Sequence, residues 1–396
     1  MLSKYKLPFI LLALILLPMA FGSYIPLIAK SFFYSLSLSI KDILVTLLPL
    51  IIFSFLFNSL ISLKQRAILF IILLLIMVAT SNFAAITTGY TIGSAFLPFL
   101  DLNLHAQQES SSLTSLWNLT IPKVISNEPA IILGIILGVY FALKPNAFAE
   151  SIAKKLNNLA SAFLKKVFLP ILPLFILGFI LKLENDGSLS KVFNTYGSVL
   201  ILVVATQIFY IMLVYLVASE LNFMKALHYI KHMLPAMLTG FSTISSAATI
   251  PVNIMCTEKN LRNPNFARMV IPATANIHTL GSAIGLTILS LATLLAFGHG
   301  LPSTINFFIF AFYYTMAKFA VAGIPGGVVL VVSPLLETYL GFNAEMIGLI
   351  TAIYMMFDPF GTATNVTCNG AFAIIFNKVY KSQENIQVVE EVKETT

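Results

Sequence analysis

Nine apolar runs, at roughly 7–27, 39–62, 67–99, 130–145, 167–182, 197–219, 264–298, 305–340 and 345–377, take up most of this chain. About 20 apolar residues in helical form cross the ~30 Å hydrocarbon layer of a bilayer, and most of these runs reach or exceed that length. No single water-facing domain has a core large enough to absorb them. Only 10% of the 396 residues are charged and 58% are hydrophobic, against about 25% charged in an ordinary soluble domain. The chain therefore reads as an integral membrane protein whose main partner is the lipid bilayer. Backbone groups in lipid must be satisfied within the segment or by a closed barrel. The short alternating strands of a barrel are absent from the sequence, so the spans are expected to be helices. Two cysteines, Cys256 and Cys368, are too few for a disulfide framework or a four-thiolate metal site.

Basic residues in the short connections set the orientation. With the N-terminus in the cytoplasm, Lys4, Lys6, Lys64, Arg66 and the basic groups at 144–166, 225–268 and 378–393 fall inside, while Lys30, Lys41, Lys123, Lys182 and Lys191 fall outside. Both termini are then cytoplasmic in a multi-pass protein of the plasma (inner) membrane. Residues 101–129 read as an external loop and 150–166 as an amphipathic cytoplasmic segment. Residues 381–396, rich in Glu with few apolar anchors, read as a disordered tail.

The second half carries the informative punctuation. Gly240 to Pro251 is small and hydroxylated, contains Ser245 and Ser246, and ends in a helix breaker; it reads as the tip of a re-entrant hairpin. Ala322 to Gly327, with Pro325 and Gly326, reads as a second tip. Each is followed by an interrupted helix, Pro272 to Ser282 after the first and Asp358 to Asn369 after the second. Two copies of one plan, each broken by Gly or Pro, point to a transporter site at the bilayer midplane.

The sharpest constellation is Asp358, Thr362, Asn365 and Asn369, spaced i, i+4, i+7 and i+11. At about 100° per residue these lie within roughly 60° of one another on one helix face. An ionised Asp at mid-span costs roughly 2.5–3.5 kcal/mol on insertion scales, so it is expected to face a cavity or partner. A carboxylate suits a substrate ammonium, and the hydroxyl and amides suit a carboxylate or a cation. The bland alternative is polar glue between packed helices.

These segments resemble the dicarboxylate/amino acid:cation symporter family, which includes the glutamate transporters. The Ser245 to Pro251 run looks like the family's first hairpin, Ala322 to Gly327 like its second, Pro272 to Ser282 like its seventh helix, and Asp358 with Thr362, Asn365 and Val366 like its eighth. Thr80 to Ala84 and Pro49 to Phe53 are similar to its third and second helices. The resemblance implies an all-α fold of eight transmembrane helices plus two re-entrant hairpins with inverted-repeat architecture. It implies a homotrimer, and scaffold helices in 1–66 (helices 1 and 2) and 101–183 (the external loop and helices 4 and 5). The transport domain would comprise 67–100 (helix 3) and 184–380 (helix 6, hairpin 1, helix 7, hairpin 2 and helix 8), moving as an elevator. Asp358 would bind a substrate amino group, Thr362 and Asn365 its carboxylate, with Ser245, Ser246, Ser282 and Gly326 closing over it. Thr80, Ser81, Asn365, Asn369 and the 274–278 backbone, including Thr274 and Asn276, would lie near cation sites.

Departures from the family pattern narrow the reading. Gly361 stands where acidic-substrate members carry Arg, which removes a fork-shaped partner for a side-chain carboxylate and favours a neutral amino acid over glutamate, aspartate or a dicarboxylate. His278-Thr-Leu-Gly-Ser282 stands where the family carries Asn-Met-Asp-Gly-Thr, and Asn369 where it carries the late Asp of its eighth helix; two carboxylates that the resemblance implies for sodium are missing, so coupling is expected to fewer sodium ions or to protons, and an uncoupled exchanger has the same pattern. His278 is either a proton acceptor or a neutral ring satisfying freed carbonyls. Lys318 reads first as a lysine snorkelling along a hairpin arm to water, and second as an ammonium standing in for a bound ion. No HExxH, GxSxG or P-loop motif appears, so the chain does not read as an enzyme. Neither a cofactor beyond the coupling ion nor a nucleic-acid partner is expected.

Overall fold

The computed structural model describes residues 6–61, 68–100, 102, 113–119, 121, 127–187, 189–261, 264–321 and 326–394, and among these it contains helices and no strands. Helix α1 (Lys6–Phe21) leads through a short turn into α2 (Leu27–Ile61), and α3 (Ile68–Phe96) follows. Then come α4 (Asn127–Leu143), α5 (Ala147–Phe163), α6 (Leu169–Asn185) and α7 (Leu189–Ala218). The second half contains α8 (Phe223–Thr243), α9 (Ser246–Glu258), α10 (Pro264–Thr274) and α11 (Leu280–Ala296). It ends with α12 (Thr304–Ala317), α13 (Gly327–Leu340) and α14 (Ala344–Glu394).

Length and apolarity mark the stretches Leu69–Phe99, Tyr196–Ala218 and Ala344–Tyr380 as able to cross a membrane, and two bent pairs, Leu27–Leu44 with Thr46–Ile61 and Ala147–Phe168 with Pro170–Asn185, qualify if each is one span. By contrast α9, α12 and α13 have 13, 14 and 14 residues. At 1.5 Å per residue such a helix extends about 20 Å, short of the hydrocarbon thickness. Helix α9 folds back on α8, and α13 on α12, so the short helices occur as paired arms.

The break between α8 and α9 falls at Ile244, whose φ of 50° is unusual for a β-branched residue. Ser245 then caps α9 by accepting the Ala248 amide at 3.2 Å. The tip of the second pair, 322–325, lies outside the described residues; Gly326 at its end has φ 70°, which glycine adopts without a Cβ clash.

Packing falls into two sets. Helix α2 packs on α4, α5 and α6, and α1 on α6; helices α3, α7 and α14 pack around α11, with α8, α9 and α10 against α14. Helix α11 is buried along nearly its whole length, although every residue from Leu280 to Ala296 is uncharged and it could have faced lipid. Large apolar side chains such as Leu50, Ile76, Ile136, Ile201 and Ile208 are exposed, as suits contact with acyl chains.

Ion pairs join the two sets: Lys41 reaches Glu337 of α13 at 2.8 Å, and Lys182 of α6 reaches Glu345 of α14 at 3.4 Å and Asp186 at 3.2 Å. Lys30 pairs with Glu184 at 2.6 Å.

Two expectations change, and a third concerns a segment that is only partly described. The polar stretch around 30–39, expected as an external connection, is helical within α2. Its serines are satisfied locally, Ser35 Oγ donating to the Ser31 carbonyl at 2.7 Å and Ser39 Oγ to the Ser35 carbonyl at 3.0 Å, so they do not break the helix. The tail expected to be disordered continues α14 to Glu394; Gln, Glu and Lys are good helix formers, and elongating an existing helix avoids the cost of nucleation. Most of the 101–129 loop lies outside the described residues, but Leu116 and Trp117 are laid on α2 through the Leu116 amide and Ser35 Oγ at 2.7 Å and through Trp117 Nε1 and Ser39 Oγ at 2.9 Å.

Helices α2 and α6 approach closely at Gly178, where an added Cβ would lie 2.2 Å from the Phe33 carbonyl oxygen. Backbone cannot yield as a flexible side chain would. Gly178→Ala is therefore expected to destabilise the protein by about 1–3 kcal/mol, read as a fall in melting midpoint. Gly197→Ala, where nothing lies within 4 Å, should leave the midpoint unchanged or raise it.

Candidate functional site

Between α10 and α11 the helix is interrupted over Ala275–Thr279, and its freed backbone groups must find partners in an apolar surrounding. Side chains from α3, α7, α12 and α14, and from the turn that directly follows α12, supply them. Asn82 of α3 donates to the Ile277 carbonyl at 2.7 Å and accepts the Thr279 amide at 3.3 Å. Lys318 donates to the Thr279 carbonyl at 2.7 Å and Gln207 of α7 to the Gly281 carbonyl at 3.0 Å. Asn365 of α14 accepts the Ser282 amide at 3.1 Å and donates to Ser282 Oγ at 2.9 Å, while Tyr314 of α12 donates to the Ser282 carbonyl at 3.3 Å.

A small cavity of about 20 Å³ lies beside this break, bordered by Ile244 and Ser246 from the first paired arms and by Val321, Gly327 and Val328 from the second. Asn276, Thr279, Ser282, Asp358, Thr362 and Asn365 complete its wall. That volume holds about one water, so the arms are closed down on the site. Asp358 is 6% exposed and its Oδ2 accepts the Gly326 amide at 2.7 Å, tying the aspartate to the second arm.

The N-termini of three helices meet here: α9 at Ser246, α11 near Ser282 and α13 at Gly327. Each brings the positive end of a helix dipole, which favours an anion, with the Ser282 amide bonded to Asn365 and the Gly326 amide to Asp358. Asp358 provides one negative group for a cation. Asn276 Oδ1 and Thr279 Oγ1 are buried without a hydrogen-bond partner, a cost of about 1–3 kcal/mol each unless something polar meets them. The wall of the cavity thus carries one carboxylate, three helix N-termini and two unpartnered side-chain oxygens.

The residues named from the sequence are largely brought together. Asp358, Thr362 and Asn365 line the cavity on one face of α14, with Ser246, Ser282 and Asn276 opposite them. Gly361 faces Ser282, where an added Cβ would make ordinary contacts of 3.5–3.6 Å with Ser282 atoms. Ser245 does not border the cavity; its hydroxyl is engaged in capping α9. Thr274 is buried, with its hydroxyl bonded to the Val270 carbonyl at 3.0 Å.

One turn beyond Asn365, Asn369 Oδ1 meets His278 Nδ1 at 2.6 Å, and Ser81 Oγ meets His278 Nε2 at 2.9 Å. An amide oxygen can only accept, so the imidazole proton sits on Nδ1 and a neutral ring has Nε2 free to accept from Ser81. His278 therefore satisfies side chains rather than the freed carbonyls expected of it.

Two placements differ from expectation. Thr80 is exposed and its hydroxyl bonds to the Ile76 carbonyl at 2.6 Å, turned away because adjacent helical residues point about 100° apart. Lys318 does not snorkel: it is 0% exposed, with Nζ on the Thr279 carbonyl and 5.4 Å from the Tyr314 ring centroid. The sequence reading missed Asn82, Gln207 and Tyr314.

A sodium ion calls for several hard oxygen ligands, charged ones above all. At the break the Thr279 carbonyl accepts from the Ala283 amide and Lys318, and Asn369 Oδ1 meets His278, so these two oxygens are already engaged.

Interrupted helices meeting at one buried carboxylate are the geometry of a membrane carrier's binding pocket. The model of the sodium:dicarboxylate symporter family matches residues 7–379, so the chain belongs to that family. It is similar to the serine/threonine transporter SstT of Acinetobacter baumannii, 24% identical over 57% of this chain and 56% of that protein. It is likewise similar to the excitatory amino acid transporter 3 of Homo sapiens, 29% identical over 60% of this chain and 46% of the human one. An uncharacterized symporter of Haemophilus influenzae is 26% identical over 72% of this chain and 62% of its own. The chain thus matches about half the length of the first two relatives.

Asn365 makes two bonds to Ser282, so Asn365→Ala leaves a buried amide unpaired. A loss of about 1–3 kcal/mol is expected, visible as a lower melting midpoint, whereas Thr80→Ala should leave it unchanged.

Proposed function

We propose that this protein is a secondary active transporter that carries a neutral amino acid across the plasma membrane in symport with a cation. The observation that carries this reading is one buried carboxylate, Asp358, set where the N-termini of α9, α11 and α13 converge. A zwitterion meets both requirements, its ammonium on Asp358 and its carboxylate toward the helix N-termini, with Thr362, Asn365, Ser246 and Ser282 orienting it. Gly361 beside Ser282 offers no donor for a second carboxylate, which argues against glutamate, aspartate and dicarboxylates. The names of the serine/threonine and excitatory amino acid transporters among the relatives support an amino acid as cargo.

Packing supports an elevator mechanism. The set built on α2, α4, α5 and α6 is the scaffold; α3, α7, α11, α14 and the paired arms α8–α9 and α12–α13 form the moving domain, an elevator in a protein of eight spans and two re-entrant hairpins. The arms act as gates: the Asp358 to Gly326 bond links occupancy of the site to closure of the second arm. The assembly is a trimer with both termini cytoplasmic.

Counterflow in proteoliposomes tests the class: unlabelled neutral amino acid inside should accelerate entry of the labelled one, and equal rates with and without it would exclude a carrier. Asp358→Asn keeps an acceptor for the Gly326 amide but removes the charge. We expect unchanged stability with a roughly 10- to 100-fold loss of amino-acid affinity; unaltered affinity in a binding titration would remove Asp358 from its role.

A further inference from the structure

Lys318 presents a physical problem that the transport scheme does not use. Its side chain is fully buried, and among the described residues no carboxylate lies within ion-pair distance of it. A buried charge without a counter-charge is costly and survives only where the surroundings favour a cation. Those surroundings are present: Nζ meets the Thr279 carbonyl at 2.7 Å, on the stretch where the helix is unwound, and lies over the face of Tyr314. The Thr279 carbonyl also accepts the Ala283 amide at 3.0 Å, so Lys318 takes its second lone pair, and that lone pair and the π face are both cation-seeking. Carbonyls of unwound helices are also where coupling ions bind in carriers. Next to it His278 Nδ1 is bonded to Asn369 Oδ1, and neither residue offers an anionic oxygen.

We infer that Lys318 is a resident cation: its ammonium permanently fills a position at the α10–α11 break that an exchangeable sodium ion would otherwise occupy, so this carrier needs no sodium there. The inference deepens the carrier reading and rests on it, since only in a carrier does the break serve as an ion position. Lys318 arrives on the arm that precedes Gly326, so the same arm that closes on Asp358 also delivers the charge. The cation is thereby counted into the closed state without diffusing to it. In place of one binding equilibrium, the site depends on the docking of the arm.

Sodium dependence of the purified full-length protein tests this, without any amino acid present, so that absence of transport and failure of this inference are read separately. Melting midpoints are compared in sodium chloride and in choline chloride at equal ionic strength. Lys318→Met removes the charge while keeping most of the volume. We expect its midpoint to fall in choline and to be restored by sodium in a saturable way, giving a sodium-minus-choline shift larger than that of the wild type. An identical shift in the two proteins overturns the inference. Should Lys318→Met fail to fold in either salt, Asn369→Asp decides: it adds a carboxylate beside His278 with almost no change in shape. With Lys318 in place it should leave the sodium shift as in the wild type, and a new saturable sodium stabilisation in that variant overturns the inference.

Discussion

An unwound stretch of backbone inside a lipid-embedded protein must have every one of its polar groups met, and this requirement organises the second half of the molecule. The five residues 275–279 free carbonyls and amides where water is scarce. Asn82, Gln207, Tyr314, Lys318 and Asn365 come from four different helices, α12 supplying Tyr314 and leading into Lys318, to meet them and the adjoining turn. Each of those helices is thereby fixed relative to the break. A cavity lies beside it, lined in part by Asn276 and Thr279, whose Oδ1 and Oγ1 have no hydrogen-bond partner.

Much of this arrangement was legible in the sequence because it is encoded by local spacing. The intervals between Asp358, Thr362, Asn365 and Asn369 place them on one face whatever the helix packs against, and the first three line the cavity together. Pro and Gly likewise mark the breaks, since their dihedral limits are intrinsic. Rotation and depth were not legible. Thr80 and Ser81 are adjacent and polar, and only the packing of α3 on α11 decides that Ser81 reaches His278 while Thr80 turns outward.

Lys318 illustrates the same limit. A lysine on a hairpin arm is expected to reach water, and whether it can depends on how far the arm is covered by other helices, which sequence does not reveal. Asn82, Gln207 and Tyr314 escaped notice for a related reason. Each serves a backbone group 32 to 197 residues away, and an amide or phenol in an apolar helix gives no hint of which distant carbonyl it will meet.

The ion pairs Lys41–Glu337 and Lys182–Glu345 cross from the helices around α2 to those around α14. In the elevator proposed above, sliding of one set past the other would part these charges, and the energy of parting would fall on the barrier between conformations rather than on ligand affinity. External electrolyte stabilises separated charges. In such a carrier the speed of turnover, but not the concentration of substrate needed to fill the site, would be tied to the ionic composition of the surroundings.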